Sequence, residues 1–405
     1  MNSKFAEPSA TVAVIVGLLA LASAMGIGRF SLTPILPLMQ HDVGLTFAQG
    51  GWLATSNYLG YLVGALICIG LAPQPARAIR WGLVWVAVPT VAMGLGRSPL
   101  LWNALRFSAG VASAFVLVGV SGWAMPILAR HNKDQWSGLV FAGVGIGIVL
   151  TGLLVLVAGL DAWGSRSIWI AMGVVAAAPA FFLWRPLATS AVPSNEIPKV
   201  AAPKKHWMPR RAFVASACYG LFGYGYIIPA TFLPTLARRY IDDAAVFGWI
   251  WPVFGIAAAI STLAAARFGH RLTPQRLWTG AQWVLAAGVL APVVWLNVVT
   301  LLLAAICVGG TFMVITMAGI KEMLRIGGPQ ASRGIGMMTA AFAIGQITAP
   351  FTVSLFAGSN NAFTIGSIIA AMALVLSNCV LSTDAARVTR SETHAPPTRC
   401  DHHER

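Results

Sequence analysis

Two arginines stand where arginine is expensive. Arg29 lies in the stretch "GIGRFSLTPILPLM", about eighteen residues into an apolar run that starts near Ala10, and Arg106 lies about seven residues into another. A guanidinium at the centre of a membrane helix costs roughly 2.5–3.5 kcal/mol on insertion scales, so two of them point to a shared polar interior. The twelve acids fall outside the apolar runs, with Asp42 and Glu322 nearest to them. Carbonyls near Pro34 and Pro37, and the hydroxyls of Ser31, Thr33 and Tyr226, are candidate acceptors. A bound anion is a better one, because a guanidinium meets carboxylate or phosphate bidentately. The expected substrate-binding residues are therefore Arg29, Arg106 and Tyr226.

The elements that position these residues follow from composition. The chain has 405 residues, of which 57% are hydrophobic and 10% charged. Soluble domains carry about 25% charge, so this chain cannot cover a water-facing surface. A bilayer core of about 30 Å needs about 20 apolar residues per helix. Twelve such runs occur, near 11–38, 47–71, 80–96, 99–125, 135–159, 166–185, 211–236, 245–267, 277–297, 298–320, 334–357 and 361–382. The first is too long for a signal peptide and lacks a cleavage site.

Net charge is +15, and its placement explains it without nucleic acid. With the N-terminus inside, 21 of the 27 Lys and Arg fall on the inner side, 4 outside and 2 within helices. This is the positive-inside pattern, and it predicts that both termini are cytoplasmic. The five cysteines show no metal or disulfide spacing, and the seven histidines fall in loops or tails, so no metal or cofactor is expected.

The chain is written twice. A shift of 197 residues puts Gly26 on Gly223, Gly28 on Gly225, Pro37 on Pro234, Gly51-Trp52 on Gly248-Trp249 and Trp81 on Trp278. Tyr226 then stands where Arg29 stood. Two six-helix bundles with the same orientation follow, related by an axis along the membrane normal. The expected division is a short N-terminus (1–10), a first bundle (11–185), a cytoplasmic linker (186–210), a second bundle (211–382) and a disordered tail (383–405). Pro34, Pro37, Pro229 and Pro234 each remove a helical hydrogen bond and are expected to make an outer gate or hinge. Gly143, Gly147 and Gly152 in "GVGIGIVLTG" are expected to let helices approach closely.

Twelve spans in two parallel repeats resemble the major facilitator superfamily over about residues 10–382. The strings "GIGRFSLTPILPLMQ" and "GYGYIIPATFLPTLARRY" resemble its bacterial YbfB/YjiJ branch. The superfamily's loop motif between helices 2 and 3 is kept only in part: Gly70 and Arg80 match, but Gln74 replaces the aspartate. The second copy keeps Arg267, Gly269 and Arg271, with Ala266 for the acid. Arg106, Gly110 and Ala114 match the helix 4 pattern, whose arginine the resemblance links to proton coupling. Gly143, Gly147 and Gly152 resemble the antiporter motif of helix 5, with Ile148 in place of its proline.

The resemblance implies an all-α secondary transporter in a bacterial inner membrane, working by rocking-bundle alternating access. The expected cargo is a small organic anion, with protons as the candidate coupling ion, and the expected state is a monomer in the lipid bilayer. The alternative is a proton-coupled efflux antiporter for amphipathic or sugar-like compounds; a non-transporting sensor is more distant. An enzyme is not expected, because the spans hold no His, Asp or Glu to act as a base.

Overall fold

The computed structural model describes residues 8–160, 163–189, 208–240, 248–356 and 361–393. Among the described residues, twelve long helices account for the architecture: α1 (Ala10–Asp42), α2 (Phe47–Leu71), α3 (Pro75–Leu95), α4 (Pro99–Arg130), α5 (Ser137–Leu160), α6 (Ser165–Phe182), α7 (Arg210–Tyr240), α8 (Ile250–Phe268), α9 (Pro274–Val294), α10 (Val298–Gly327), α11 (Ala331–Ser354) and α12 (Ala362–Thr393). The adjoining runs 277–297 and 298–320 become separate helices because Asn297 and Thr300 form a reciprocal capping box that starts the second. The alternating course leaves Arg77, Arg80, Arg130, Lys133, Arg267, Arg271, Lys321, Arg325 and Arg333 at one end of the bundle, here termed the basic face.

The two halves pack alike. In the first, α2 and α3 pack on α4, α3 on α6, and α1 on α5; in the second, α8 and α9 pack on α10, α9 on α12, and α7 on α11. Across the halves, α2 meets α11 and α5 meets α8, the pairing a two-fold relation demands.

The repeat register changes once. Gly110 on α4 lies against the Asn57 carbonyl, and Gly309 on α10 against the Phe254 carbonyl. Asn57 and Phe254 are 197 apart, whereas Gly110 and Gly309 are 199 apart. The loop between α8 and α9 is two residues longer than that between α2 and α3, which accounts for the difference. Beyond this loop Ile79, Leu83, Val86 and Thr90 are buried, as are Trp278, Gln282, Leu285 and Val289. The pairing of Trp81 with Trp278 is thus corrected: Trp81 is 55% exposed and Trp278 fully buried, so they sit on different faces.

The tail expected to be disordered from residue 383 is also corrected in part, since α12 stays helical to Thr393. Its sequence "STDAARVTRSET" contains no Gly or Pro to stop propagation. Residues 394–405 and most of the expected linker, 190–207, lie outside the described residues.

Candidate functional site

The local structure of α1 sets up the site. Its α-helix Ala10–Leu21 opens into a π-helical turn, Ala22–Ile27, before α-helix resumes at Leu32–Asp42. Gly28 N–H donates to the Ser23 carbonyl at 2.8 Å and Phe30 N–H to Met25 at 3.2 Å, both five residues back. Pro34 has no N–H to return to the Phe30 carbonyl, which accepts the Thr33 N–H at 3.4 Å instead. In a bilayer each freed backbone group needs a partner within the protein. Ser113 Oγ on α4 donates to the Ala24 carbonyl at 3.0 Å. Arg106 donates from Nη1 to the Gly28 carbonyl and from Nη2 to the Arg29 carbonyl, each at 2.8 Å. Arg106 is 2% exposed, and Asn57 Nδ2 bonds its carbonyl at 2.9 Å. Its fork is thereby committed to the backbone of α1, leaving only Nε without a partner.

Arg29 is held differently. Its guanidinium carbon lies 3.8 Å from the centre of the Tyr61 ring on α2 and 5.5 Å from that of Tyr58. Nη2 donates to Gln346 Oε1 on α11, a bond that crosses between the halves. Nε and Nη1 are buried without partners, as are the Tyr226 hydroxyl, Trp251 Nε1 and Gln346 Nε2. Every one of these orphaned groups has a hydrogen to give.

Arg29, Tyr226 and Trp251 line a cavity of about 90 Å³, together with Arg106, Tyr58 and Thr231 among others, with no acid in the lining. The structure thus brings Arg29, Arg106 and Tyr226 to one place. Its lining on α1, α2, α7 and α8 comes from the ends away from the basic face. At the basic face the halves touch: Ser137 Oγ lies 3.5 Å from Met317 Sδ, and Lys321 Nζ donates to the Asp134 carbonyl at 3.2 Å.

The prolines differ between copies. Pro34 and Pro37 follow the interruption of α1, whereas α7 runs as unbroken helix through Pro229 and Pro234; the side chain of Pro234 lies outside the described ones. Gly143 and Gly147 face α1, where a Cβ on Gly143 would sit 2.1 Å from the Leu18 carbonyl and one on Gly147 2.4 Å from Ala22's. Gly152 faces Pro252 on α8 instead. Glu322, the acid nearest a span, is buried but answered by Arg325 at 2.6 Å and Arg211 at 4.0 Å. Among the described residues no cluster of His, Cys, Asp or Glu is placed to hold a metal. Sequence reading overlooked Gln346, Asn57 and Trp251. The first two had a legible signal, an amide side chain within an apolar span.

The family model described as "Uncharacterised MFS-type transporter YbfB" matches residues 21–382. The chain belongs to that family. The Bacillus subtilis (strain 168) protein described as "Uncharacterized MFS-type transporter YceJ" is 25% identical over 262 residues, covering 61% of this chain and 64% of that protein. The chain thus matches less than two thirds of that relative's length. A heme A synthase of Ruegeria sp. (strain TM1040) is 29% identical over 157 residues, covering 36% of this chain and 40% of that enzyme. The crystal structure of the human organic anion transporter MFSD10 (TETRAN) superposes with a TM-score of 0.71 at 15% identity, over 93% of this chain and all of that one. Fold and family agree: this YbfB-type chain is a multi-pass membrane protein of the major facilitator superfamily, and both of its halves line the Arg29 cavity.

Proposed function

We propose that this chain is a secondary transporter of a small organic anion, with Arg29 as the anchor for the anionic group. The carrying observation is the set of buried donors without acceptors on residues that line the cavity: Arg29 Nε and Nη1, the Tyr226 hydroxyl and Trp251 Nε1. A carboxylate is acceptor-only and matches such a set. MFSD10 is titled an organic anion transporter, but at 15% identity the likeness is one of fold, so the donors carry the reading. Arg106 acts here as a positioning residue, holding the backbone that presents Arg29.

In this reading bundles 11–185 and 211–382 rock about the cavity, joined by linker 186–210. The protein works as a monomer in a bacterial inner membrane, with no catalytic step and no cofactor. The basic face is cytoplasmic, a reading supported by its excess of Lys and Arg, and the cavity is approached from outside. Protons are the candidate coupling ion.

Thermal stability in detergent tests the anchor. Organic acids, neutral sugars and lipophilic cations are screened against wild type and Arg29→Gln. A ligand at 100 times its Kd stabilises by about 2.7 kcal/mol. Acids alone are expected to stabilise wild type, and Arg29→Gln to lose the response. Equal stabilisation of both proteins by sugars or cations would overturn the reading.

Alternating access has its own test. Ser137→Cys paired with Met317→Cys places two thiols where the halves touch on the basic face. Oxidation is expected to stop uptake into proteoliposomes, reduction to restore it, and ligand binding to survive in both states. Undiminished uptake after complete cross-linking would exclude opening at this face.

A further inference from the structure

An anion anchor leaves the rest of the substrate unspecified, but the walls around Arg29 are informative. Four aromatic side chains from four helices line the cavity: Phe30 from α1, Tyr58 from α2, Tyr226 from α7 and Trp251 from α8. They are backed by further rings. Tyr226 stacks on Phe312 at 5.2 Å with 13° between planes, and Trp251 stacks on Phe254 at 5.2 Å and 10°. Phe254 in turn meets Phe312 at 5.3 Å, and Phe30 reaches the same Phe312 edge-on at 5.9 Å across the halves. A ring held in such a layer has little rotamer freedom to lose when a ligand lies against it.

The cavity is also polarised. Its cations, Arg29 and Arg106, both belong to the first half, while the second half contributes Tyr226, Ile227, Ala230, Thr231 and Trp251. The donors without partners are shared between the halves, Arg29 Nε and Nη1 in the first and the Tyr226 hydroxyl and Trp251 Nε1 in the second. A ligand that satisfies this arrangement is charged at one end and flat at the other.

We infer that the substrate is an aromatic carboxylate, its carboxylate on Arg29 and its ring against Tyr226 and Trp251. This rests on the anion reading above and adds the body to the head. Flat rings pair with aromatic walls through quadrupole-matched stacking, an attraction beyond area burial. A saturated ring of the same size is more apolar but lacks that pairing, so comparing the two isolates the contribution of the walls.

The test is a binding series on the full-length protein in detergent, read as the concentration giving half the maximal thermal shift. The probes are benzoate, cyclohexanecarboxylate, propionate and benzyl alcohol. Benzoate is expected to act at a concentration at least tenfold lower than any of the other three. Trp251→Leu is expected to bring benzoate to the level of cyclohexanecarboxylate while keeping the response to both. If cyclohexanecarboxylate matches benzoate on wild type, the aromatic inference falls and the anion anchor stands. If benzyl alcohol matches benzoate on wild type and on Arg29→Gln alike, the anion anchor falls and takes this inference with it. The wild-type comparisons need no variant to fold.

Discussion

Arg106→Met is expected to yield a protein with a sharply lowered melting temperature and no ligand response. Two charge-assisted hydrogen bonds of 2.8 Å disappear, both to carbonyls of the interrupted α1. A hydrogen bond to a charged group contributes about 1.5–3 kcal/mol, so the pair accounts for about 3–6 kcal/mol. That is a large part of a total stability of about 5–15 kcal/mol. Buried at bilayer depth, the Gly28 and Arg29 carbonyls have little water to turn to. Arg106→Lys keeps the charge but has no planar fork to span two carbonyls. It is expected to recover less than half the loss in melting temperature. The measurement is a melting curve of each purified variant beside wild type. A wild-type melting temperature for Arg106→Met would show that the carbonyls find other donors and that Arg106 is free for another role.

Gly147→Val should be as damaging, for a steric reason. A Cβ there would lie 2.4 Å from the Ala22 carbonyl and 2.7 Å from the Gly26 Cα, and both obstacles are backbone. Overpacking typically costs about 1–3 kcal/mol where side chains can shift; here a helix must move, so the cost lies at or above the top of that range. The π-helical turn begins at Ala22, so the shift disturbs the segment that carries Arg29. Size-exclusion profiles after expression are expected to show Gly147→Val aggregated. Gly70→Val, where a Cβ meets nothing within 4 Å, is expected to elute as wild type. Matching profiles for the two variants would refute close packing of α1 on α5.

What the sequence disclosed depended on what a one-dimensional pattern can hold. Twelve apolar runs of about 20 residues fix twelve helices, because a helix of that length crosses a bilayer with its backbone groups bonded within the span. The pairing of Arg29 with Tyr226 was readable from the repeat, and the common depth of Arg29 and Arg106 from their places in oppositely directed helices. The partner of each guanidinium was not. Whether Arg106 meets a ligand or the Gly28 and Arg29 carbonyls depends on a π-helical turn, and no residue type in "ASAMGI" announces one. Gln346 was equally hidden as a partner, since its bond to Arg29 spans 317 positions and depends on how the halves close. Trp251 looked like one more tryptophan in an apolar run until α8 brought it to the cavity that holds Arg29 and Tyr226.

The longer loop between α8 and α9 bears on descent. Two extra residues between helices cost little closure entropy, whereas the same residues inside a helix would rotate every later side chain off its face. The sequence history that fits is a duplication followed by a small insertion at a tolerant position, with the helix faces preserved on both sides. Kinship between the copies must therefore be traced with two offsets. On the second offset the counterpart of Arg106 is Ala305, a residue with no hydrogen to donate from its side chain. The two copies have diverged in division of labour: the first acquired an interrupted helix together with the cation that mends it, and the second kept its helix whole.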